Sequence, residues 1–285
     1  EPYDRKVAGR GAGASDRERI CLACGRRGHD GNGTAAALGL DDAVDVYECD
    51  LAAAVPLPAR VENVGQTRRA TSLARGDVKV LTPEHLLSAL YALGVDNALI
   101  DLDAPEVPIL DGSARPYAEA ICACGLLEQA AERETLVIER PFVYEDRNSG
   151  ARLAFDPAGE TVIDVTIDFD SKLVGRQRAV FDASTDYAGQ IAPCRTFCFL
   201  HEVKLLRSLG LIRGGSLDNA LVIDEAAGCY GGRPPCFDNE PARHKLLDLI
   251  GDLSLAGRPI RGRITAYKPG HKINTQALKK FLETR

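Results

Sequence analysis

Residues 239–259 read NEPARHKLLDLIGDLSLAGRP, and residues 81–103 read LTPEHLLSALYALGVDNALIDLD. In the first stretch Leu246, Leu249, Ile250 and Leu253 recur at helical spacing and form one apolar stripe. His244, Asp248 and Gly251 fall on nearly the opposite face, about one turn apart. Gly251 leaves that face without a side chain, so another group can approach the backbone there. The helix is expected to be covered on both sides, by core on one and by a ligand or a second domain on the other. The second stretch has the same plan. Thr82 suits an N-cap, Pro83 the first helical position, and Glu84 the positive end of the helix dipole. Leu86, Leu90 and Leu93 continue an apolar side, Gly94 ends the helix, and NALIDLD reads as a strand. Continued as RHKLLDLIGDLSLAGRPIRGRITAY (243–267), the first stretch matches it: both run histidine, leucines, a Gly-containing turn and a strand. This weak internal repeat predicts two half-molecules of similar build, each with a histidine near a helix N-terminus.

The rest of the chain fits two α+β halves. VPLPARVENVGQT (55–67) and VKVLT (78–82) read as short strands before the first histidine helix. PEVPILDGSARPYAEAICACGLL (105–127) gives a strand end, an Asp111-Gly112 turn, a Ser113 cap and a short helix. Residues 132–170 are strand-rich and punctuated by NSG and PAGE. LHEVKLLRSLGL (200–211) reads as a helix with Val203, Leu206 and Leu209 on one side, followed by a glycine turn and a strand in RGGSLDNALVID (213–224). The polar stretch at about 128–135 is the expected boundary, giving a first domain over 1–130 and a second over 131–285.

Composition excludes several classes. Lys+Arg 35 against Asp+Glu 41 leaves a net charge of −6 over 285 residues, which gives no electrostatic case for nucleic acid. No apolar run reaches membrane-spanning length, and the opening residues contain no signal-peptide core. The chain begins at Glu1 and has no methionine, so its native start is expected to be missing or altered. Nine scattered cysteines suggest reduced thiols in a cytoplasmic protein. Cys21, Cys24 and His29, in CLACGRRGHDG, could open a zinc knuckle with Cys49 as a fourth ligand. Without a second CxxC, free thiols in a Gly-rich turn are the preferred reading.

An i,i+4 His–Asp pair such as His244–Asp248 is most often a solvated helix pair worth a few tenths of a kcal/mol. Zinc requires three or four ligands, so a metal site needs a third from elsewhere. Five histidines are available: His29, His85, His201, His244 and His271.

The segments TPEHLLSAL, GVDNALIDLDAPEVPILDGSARP, CRTFCF, GGSLDNALVID, RHKLLDLIGDLSLAG and YKPGHKIN, in this order and spacing, resemble the UDP-3-O-acyl-N-acetylglucosamine deacetylases. These are zinc amidases of the committed step of lipid A synthesis. The resemblance implies two similar α+β domains, each a sheet with a pair of helices, with the helix layers packed face to face and the active site between them. It implies one catalytic zinc ion on His85, His244 and Asp248 with an open fourth position, as suits a hydrolase. It implies Glu84 as general base, and His271 as the acid that supports the oxyanion and the leaving amine, charged and oriented by Asp252. Thr196 would polarise the carbonyl. Lys245 and Lys268 would lie near the nucleotide diphosphate, Phe169 would stack on uracil, and Phe197 would join the substrate site. An insert near 194–224 would form an apolar passage for the acyl chain. The family's N-terminal GLHSG-like turn is reduced here to His29-x-Gly31. The implied partner is the UDP-linked acylated amino sugar, with neither nucleic acid nor stable membrane insertion. Another acylated amino-sugar nucleotide, or a silent binding paralogue, are the alternatives. Glu84 argues against silence, since a binding module has no need of it.

Overall fold

Two leucine-rich helices, each opening beside a histidine, pack against each other at the centre of the molecule. The computed structural model describes residues 6–7, 20–27, 44–48, 56–102, 104–129, 132–203, 217 and 219–285. The chain is a mixed α+β structure of several sheets and helices. Helix α1 spans Glu84–Ala92 and α2 Arg115–Cys124. A single turn, α3, covers Tyr187–Gln190; α4 runs Glu240–Ser254, and α5 His271–Leu282.

One sheet is ordered β1-β2-β7-β3-β4, with β8 also on β2. Its strands are β1 (Lys6–Val7), β2 (Ile20–Arg27), β3 (Val44–Glu48), β4 (Leu57–Pro58), β7 (Asn97–Leu102) and β8 (Leu127–Gln129). β7 is antiparallel to β2 and parallel to β3. The hairpin β5 (Ser72–Arg75) and β6 (Val78–Leu81) precedes α1. A second sheet is ordered β10-β11-β18-β12-β13. It comprises β10 (Phe142–Asp146), β11 (Ala151–Asp156), β12 (Val162–Asp168), β13 (Arg176–Phe181) and β18 (Arg263–Tyr267). Here β18 is antiparallel to β11 and parallel to β12. Short pairings complete the fold. β9 (Leu136–Val137) joins β17 (Ile260–Arg261), and β14 (Phe197–Phe199), β15 (Leu221–Asp224) and β16 (Cys229–Gly231) form a three-stranded sheet.

The stripe Leu246, Leu249, Ile250 and Leu253 is fully buried, and α4 packs on β12 and β13. Its opposite face is buried too, against α1. A β-carbon on Gly251 would lie 2.1 Å from the Glu84 carbonyl oxygen, so the bare face is what lets the two helices touch backbone to backbone. The sequence reading of a helix covered on both sides holds, and α1 is the cover. Leu86, Leu87 and Leu90 are at most 2% exposed and belong to the same buried core as α4's leucines, each contributing about 1.5–3 kcal/mol of apolar burial.

The start of α1 differs from expectation. The N-cap is Pro83, with no side-chain cap, and Thr82 sits at φ +56°. The Thr82 hydroxyl donates to Glu106 (2.8 Å) and its N–H to the Thr71 carbonyl (3.0 Å), so tertiary partners take the groups that a cap would use. Gly94 follows α1 at φ +74°, as a helix-terminating glycine should; the N-cap of α2 is Ala114 rather than Ser113, although the Ser113 hydroxyl accepts from the Arg115 N–H. The stretch 55–67 is less extended than read: β4 is short and Val61–Asn63 form a 3-10 turn. Thr196 lies just before β14. The segment 271–285, to which the sequence reading gave no helix or strand, carries α5. Only the opening, 200–203, of the helix expected over 200–211 is described; Leu206, Leu209 and most of the glycine turn lie outside the described residues, as do His29 and Cys49. Cys21 and Cys24 lie on β2, and Cys122, Cys124, Cys194, Cys198, Cys229 and Cys236 are free thiols.

Candidate metal centre and its surroundings

The α1–α4 contact brings together three buried groups of metal-ligand chemistry. His85 Nε2 is 3.6 Å and His244 Nε2 3.4 Å from Asp248 Oδ1, and the ligand atoms of the three all lie within 4.8 Å of one another. All three residues are at most 4% exposed. His85 comes from the first turn of α1; His244 and Asp248 are one turn apart on α4.

The donor set fits a zinc ion. Two imidazoles and a carboxylate are a usual catalytic zinc triad. Among the described residues, Asp248 Oδ1 and His85 Nδ1 make no hydrogen bond, a costly state for buried polar atoms that a bound cation would relieve at the carboxylate. His244 Nδ1 lies 3.1 Å from the Cys194 carbonyl, which can only accept. Nδ1 therefore carries the proton, and Nε2 presents its lone pair toward Asp248. Burial pushes the His244 pKa down to about 3, outweighing the pull of Asp248, so the ring is neutral as a ligand must be. Burial pushes Asp248 up, but His244, Lys245 and His271 outweigh it and hold the carboxyl well below its usual range. Lys245 Nζ donates to Asp248 Oδ2 at 2.7 Å.

Glu84, 3% exposed, faces the cluster from the residue before His85. Its Oε2 accepts from the Thr71 N–H at 3.2 Å, and its Oε1 is 3.7 Å from His271 Nε2. Burial raises the Glu84 pKa to about 7 against the lowering influence of His271 and His85. His271 opens α5 and is 7% exposed. Its Nδ1 lies 3.0 Å from Asp252 Oδ2, and its Nε2 3.8 Å from Asp248 Oδ2. Burial opposes the imidazolium, but Asp252, Glu84 and Asp248 overcome it and raise the pKa to about 9. A carboxyl that readily exchanges its proton thus faces an imidazole that keeps one, across a metal-ligand cluster. That arrangement suits transfer of protons to and from a hydrolysed bond.

Other expected residues are partly gathered. The Thr196 backbone is fixed by bonds to the Gly112 carbonyl and from the Leu221 N–H, two residues from the Cys194 carbonyl that orients His244. Phe197 stands edge-on to His244 at 6.2 Å between ring centroids, with Phe169 5.7 Å from Phe197 and Lys245 Nζ 5.7 Å from the Phe197 ring. Lys268 is exposed, 3.8 Å from Asp168 Oδ2, and no contact links it to the cluster.

Sequence reasoning missed four supports. The Thr71 hydroxyl donates to Asp252 Oδ1 at 2.6 Å, and Asn274 donates to Asp252 Oδ2 at 2.9 Å. Arg195 and Glu240 form a buried ion pair (3.0 Å) that ties the Cys194–Phe197 segment to the start of α4. Asn274 and Glu240 were accessible in principle, at i+3 from His271 and i−4 from His244. Nothing in the sequence around Thr71 marks it.

The profile of the LpxC family, described as UDP-3-O-acyl N-acetylglycosamine deacetylase, matches residues 41–283. Among curated proteins, the chain is 45% identical over 234 residues to the UDP-3-O-acyl-N-acetylglucosamine deacetylase of Myxococcus xanthus, covering 82% of this chain and 74% of that one. It is 42% identical over 247 residues to the enzyme of the same name from Teredinibacter turnerae, covering 86% and 80%. It is also 45% identical over 254 residues to the bifunctional enzyme LpxC/FabZ of Porphyromonas gingivalis, covering 81% of this chain but only 55% of that protein.

Proposed function

This chain belongs to the UDP-3-O-acyl-N-acetylglucosamine deacetylase family, and from that premise we infer that it is the amidohydrolase that removes the N-acetyl group from UDP-3-O-acyl-N-acetylglucosamine in lipid A biosynthesis, working from the α1–α4 contact. The observation that carries the assignment to these residues is the convergence of His85 Nε2 and His244 Nε2 on Asp248 Oδ1 beside a buried carboxyl and a buried imidazole. His85, His244 and Asp248 would hold one zinc ion, which when bound would supply Lewis acidity for the hydrolysis. Glu84 takes the water's proton through Oε1 while Thr71 holds its Oε2. Water oxygen bonds to the acetyl carbon, and protonated His271 supports the oxyanion through Nε2. As the carbon–nitrogen bond breaks, His271 gives its Nε2 proton to the departing amine, the new acetic acid ionises, and Glu84 returns the water's proton to the imidazole, leaving acetate and a free 2-amine. Asp252 keeps His271 charged and aligned through Nδ1. Thr196 polarises the carbonyl from the segment beside His244. Lys245 and Lys268 serve the diphosphate, and Phe169 and Phe197 the uridine side.

The two-domain organisation, 1–130 and 131–285 with an acyl-passage insert near 194–224, belongs to the same reading. It is supported by matching connections: each histidine helix feeds a strand that is antiparallel to one neighbour and parallel to the other, β7 after α1 and β18 after α4. The helices of the two halves then meet face to face through α1 and α4. No described helix is long and apolar enough to cross a membrane.

The test is acetate release from UDP-3-O-acyl-N-acetylglucosamine by the zinc-loaded protein, alongside metal analysis. About one zinc per chain is expected, lost in His244→Ala and kept in Glu84→Ala, with turnover down by roughly two or more orders of magnitude in the latter. Turnover only of a different acylated amino-sugar nucleotide would reassign the substrate. Tight binding without turnover would make the chain a binding paralogue.

A further inference from the structure

Thr71 meets both catalytic carboxylates at once, from a third element that carries neither of them. Its hydroxyl donates to Asp252 Oδ1 at 2.6 Å, its N–H donates to Glu84 Oε2 at 3.2 Å, and its carbonyl accepts from the Thr82 N–H at 3.0 Å, two residues before Glu84. The residue is 1% exposed. We propose that Thr71 is a positioning residue for the deacetylation, setting the orientation of Asp252, and through it His271, together with that of Glu84. The proposal rests on the roles assigned above to Glu84 and His271.

The hydrogen-bond inventory gives the reason. Asp252 receives three donors: Thr71 on Oδ1, and His271 Nδ1 and Asn274 Nδ2 on Oδ2. His271 and Asn274 both come from α5, so those two bonds alone leave the carboxylate free to turn about the axis toward that helix. The Thr71 hydroxyl, arriving from the opposite side, fixes the plane. A fixed Asp252 fixes the imidazole, whose Nε2 is held between Glu84 Oε1 (3.7 Å) and Asp248 Oδ2 (3.8 Å). The N–H of the same residue occupies Glu84 Oε2, which leaves Oε1 facing the reaction space.

Thr71 is itself rigidly seated. The Ser72 N–H and hydroxyl both donate to the Gln66 carbonyl (2.9 Å each), and the Gln66 N–H donates back to the Ser72 hydroxyl (2.8 Å). The Gly65 N–H donates to the Ser72 carbonyl at 2.8 Å. This closed loop places the threonine without help from the metal cluster, and alignment of the base and the acid becomes a property of the hairpin's entry.

The experiment compares Thr71→Val, which keeps the shape and removes the hydroxyl, with Thr71→Ser, which keeps the hydroxyl. In Thr71→Val, kcat on UDP-3-O-acyl-N-acetylglucosamine should fall roughly 10- to 100-fold, the loss typical of one hydrogen bond to a charged group. KM and zinc affinity by chelator competition should stay within about twofold, because Thr71 is buried and is not one of the candidate zinc ligands. Thr71→Ser should recover most of the rate. Zinc binding by a folded Thr71→Val with wild-type kcat overturns the proposal. So does an equal loss in Thr71→Ser, which would assign the effect to the methyl group, or a parallel loss of zinc. NMR provides a readout that needs no turnover: the hydrogen-bonded Nδ1 proton of His271 should be observed in wild type and Thr71→Ser and be exchange-broadened or shifted in Thr71→Val. An inactive wild-type protein would sink the deacetylase reading, whereas an unchanged His271 signal in Thr71→Val would sink the positioning role alone. Should the valine variant not fold, Thr71→Ala removes the hydroxyl with less bulk and takes its place.

Discussion

Replacing Gly251 by alanine tests whether the α1–α4 contact sets the site. The added β-carbon would stand 2.1 Å from the Glu84 carbonyl oxygen, 2.9 Å from its carbon and 3.0 Å from its Cα. Carbon–oxygen contacts settle at about 3.3–3.6 Å. The first turn of α1 must therefore retreat from α4 by about 1 Å or more, since all three obstacles are backbone atoms and no rotamer change can relieve them. Overpacking of this kind costs about 1–3 kcal/mol, which urea unfolding would register. The functional loss should be larger. His85 and Glu84 ride on α1, whereas His244 and Asp248 ride on α4. Metal–ligand distances tolerate about 0.2 Å, and a misplacement of about 1 Å can cost on the order of 100-fold in rate. Zinc affinity from chelator competition should fall by at least tenfold and kcat by about two orders of magnitude. Gly159→Ala is the control, because nothing lies within 4 Å of its β-carbon. A Gly251→Ala protein with wild-type stability, zinc affinity and turnover would refute the argument that this glycine sets the ligand geometry.

Rate should describe a bell against pH, because Glu84 must be ionised while His271 must be protonated. The acidic limb lies at or below about 7, since burial raises Glu84 to that value and a nearby dication favours its carboxylate. The basic limb should lie near 9 and move to lower pH in Asp252→Asn, which removes the leading carboxylate that overcomes burial of His271; an unmoved limb there would dissolve the pairing. His271→Ala should lower turnover with zinc content retained, and loss of the metal in that variant would argue for a ligand role instead. Removing one partner of the fully buried Arg195–Glu240 pair, as in Arg195→Met, should cost about 3–5 kcal/mol in urea unfolding. Arg178→Met, whose side chain is 64% exposed beside Asp164, should cost about 1 kcal/mol or less. Equal losses in the two would contradict burial as the deciding factor.

Local chemistry made part of this protein readable from its residues. The leucine stripe of α4, the terminating glycine after α1 and the strands β7 and β18 follow from periodicity and backbone preference, which act within a few residues. The pairing of His244 with Asp248 follows from one helical turn. Gly251 announced a close approach, because a missing side chain on a helix face is legible, although its partner is not. The identity of His85 as the third group came from a family likeness, since 159 positions separate it from His244 and no local rule spans that distance. Thr82 shows where local preference failed: its capping group went to Glu106 and Thr71, brought near only by the folded hairpin.

The sequence by itself determined the two histidine helices, the faces they bury, and the placing of His244 and Asp248 one turn apart. Only the tertiary structure decided that Asp252 is held from two sides, that the Cys194 carbonyl selects the His244 tautomer, and that burial moves Glu84 upward to about 7 while three carboxylates move His271 upward to about 9. The physical reason is range. Helix propensity and amphipathic spacing are fixed by neighbours along the chain, whereas hydrogen-bond partners, desolvation and Coulomb interactions depend on distances through space, set when α1 and α4 close on Gly251.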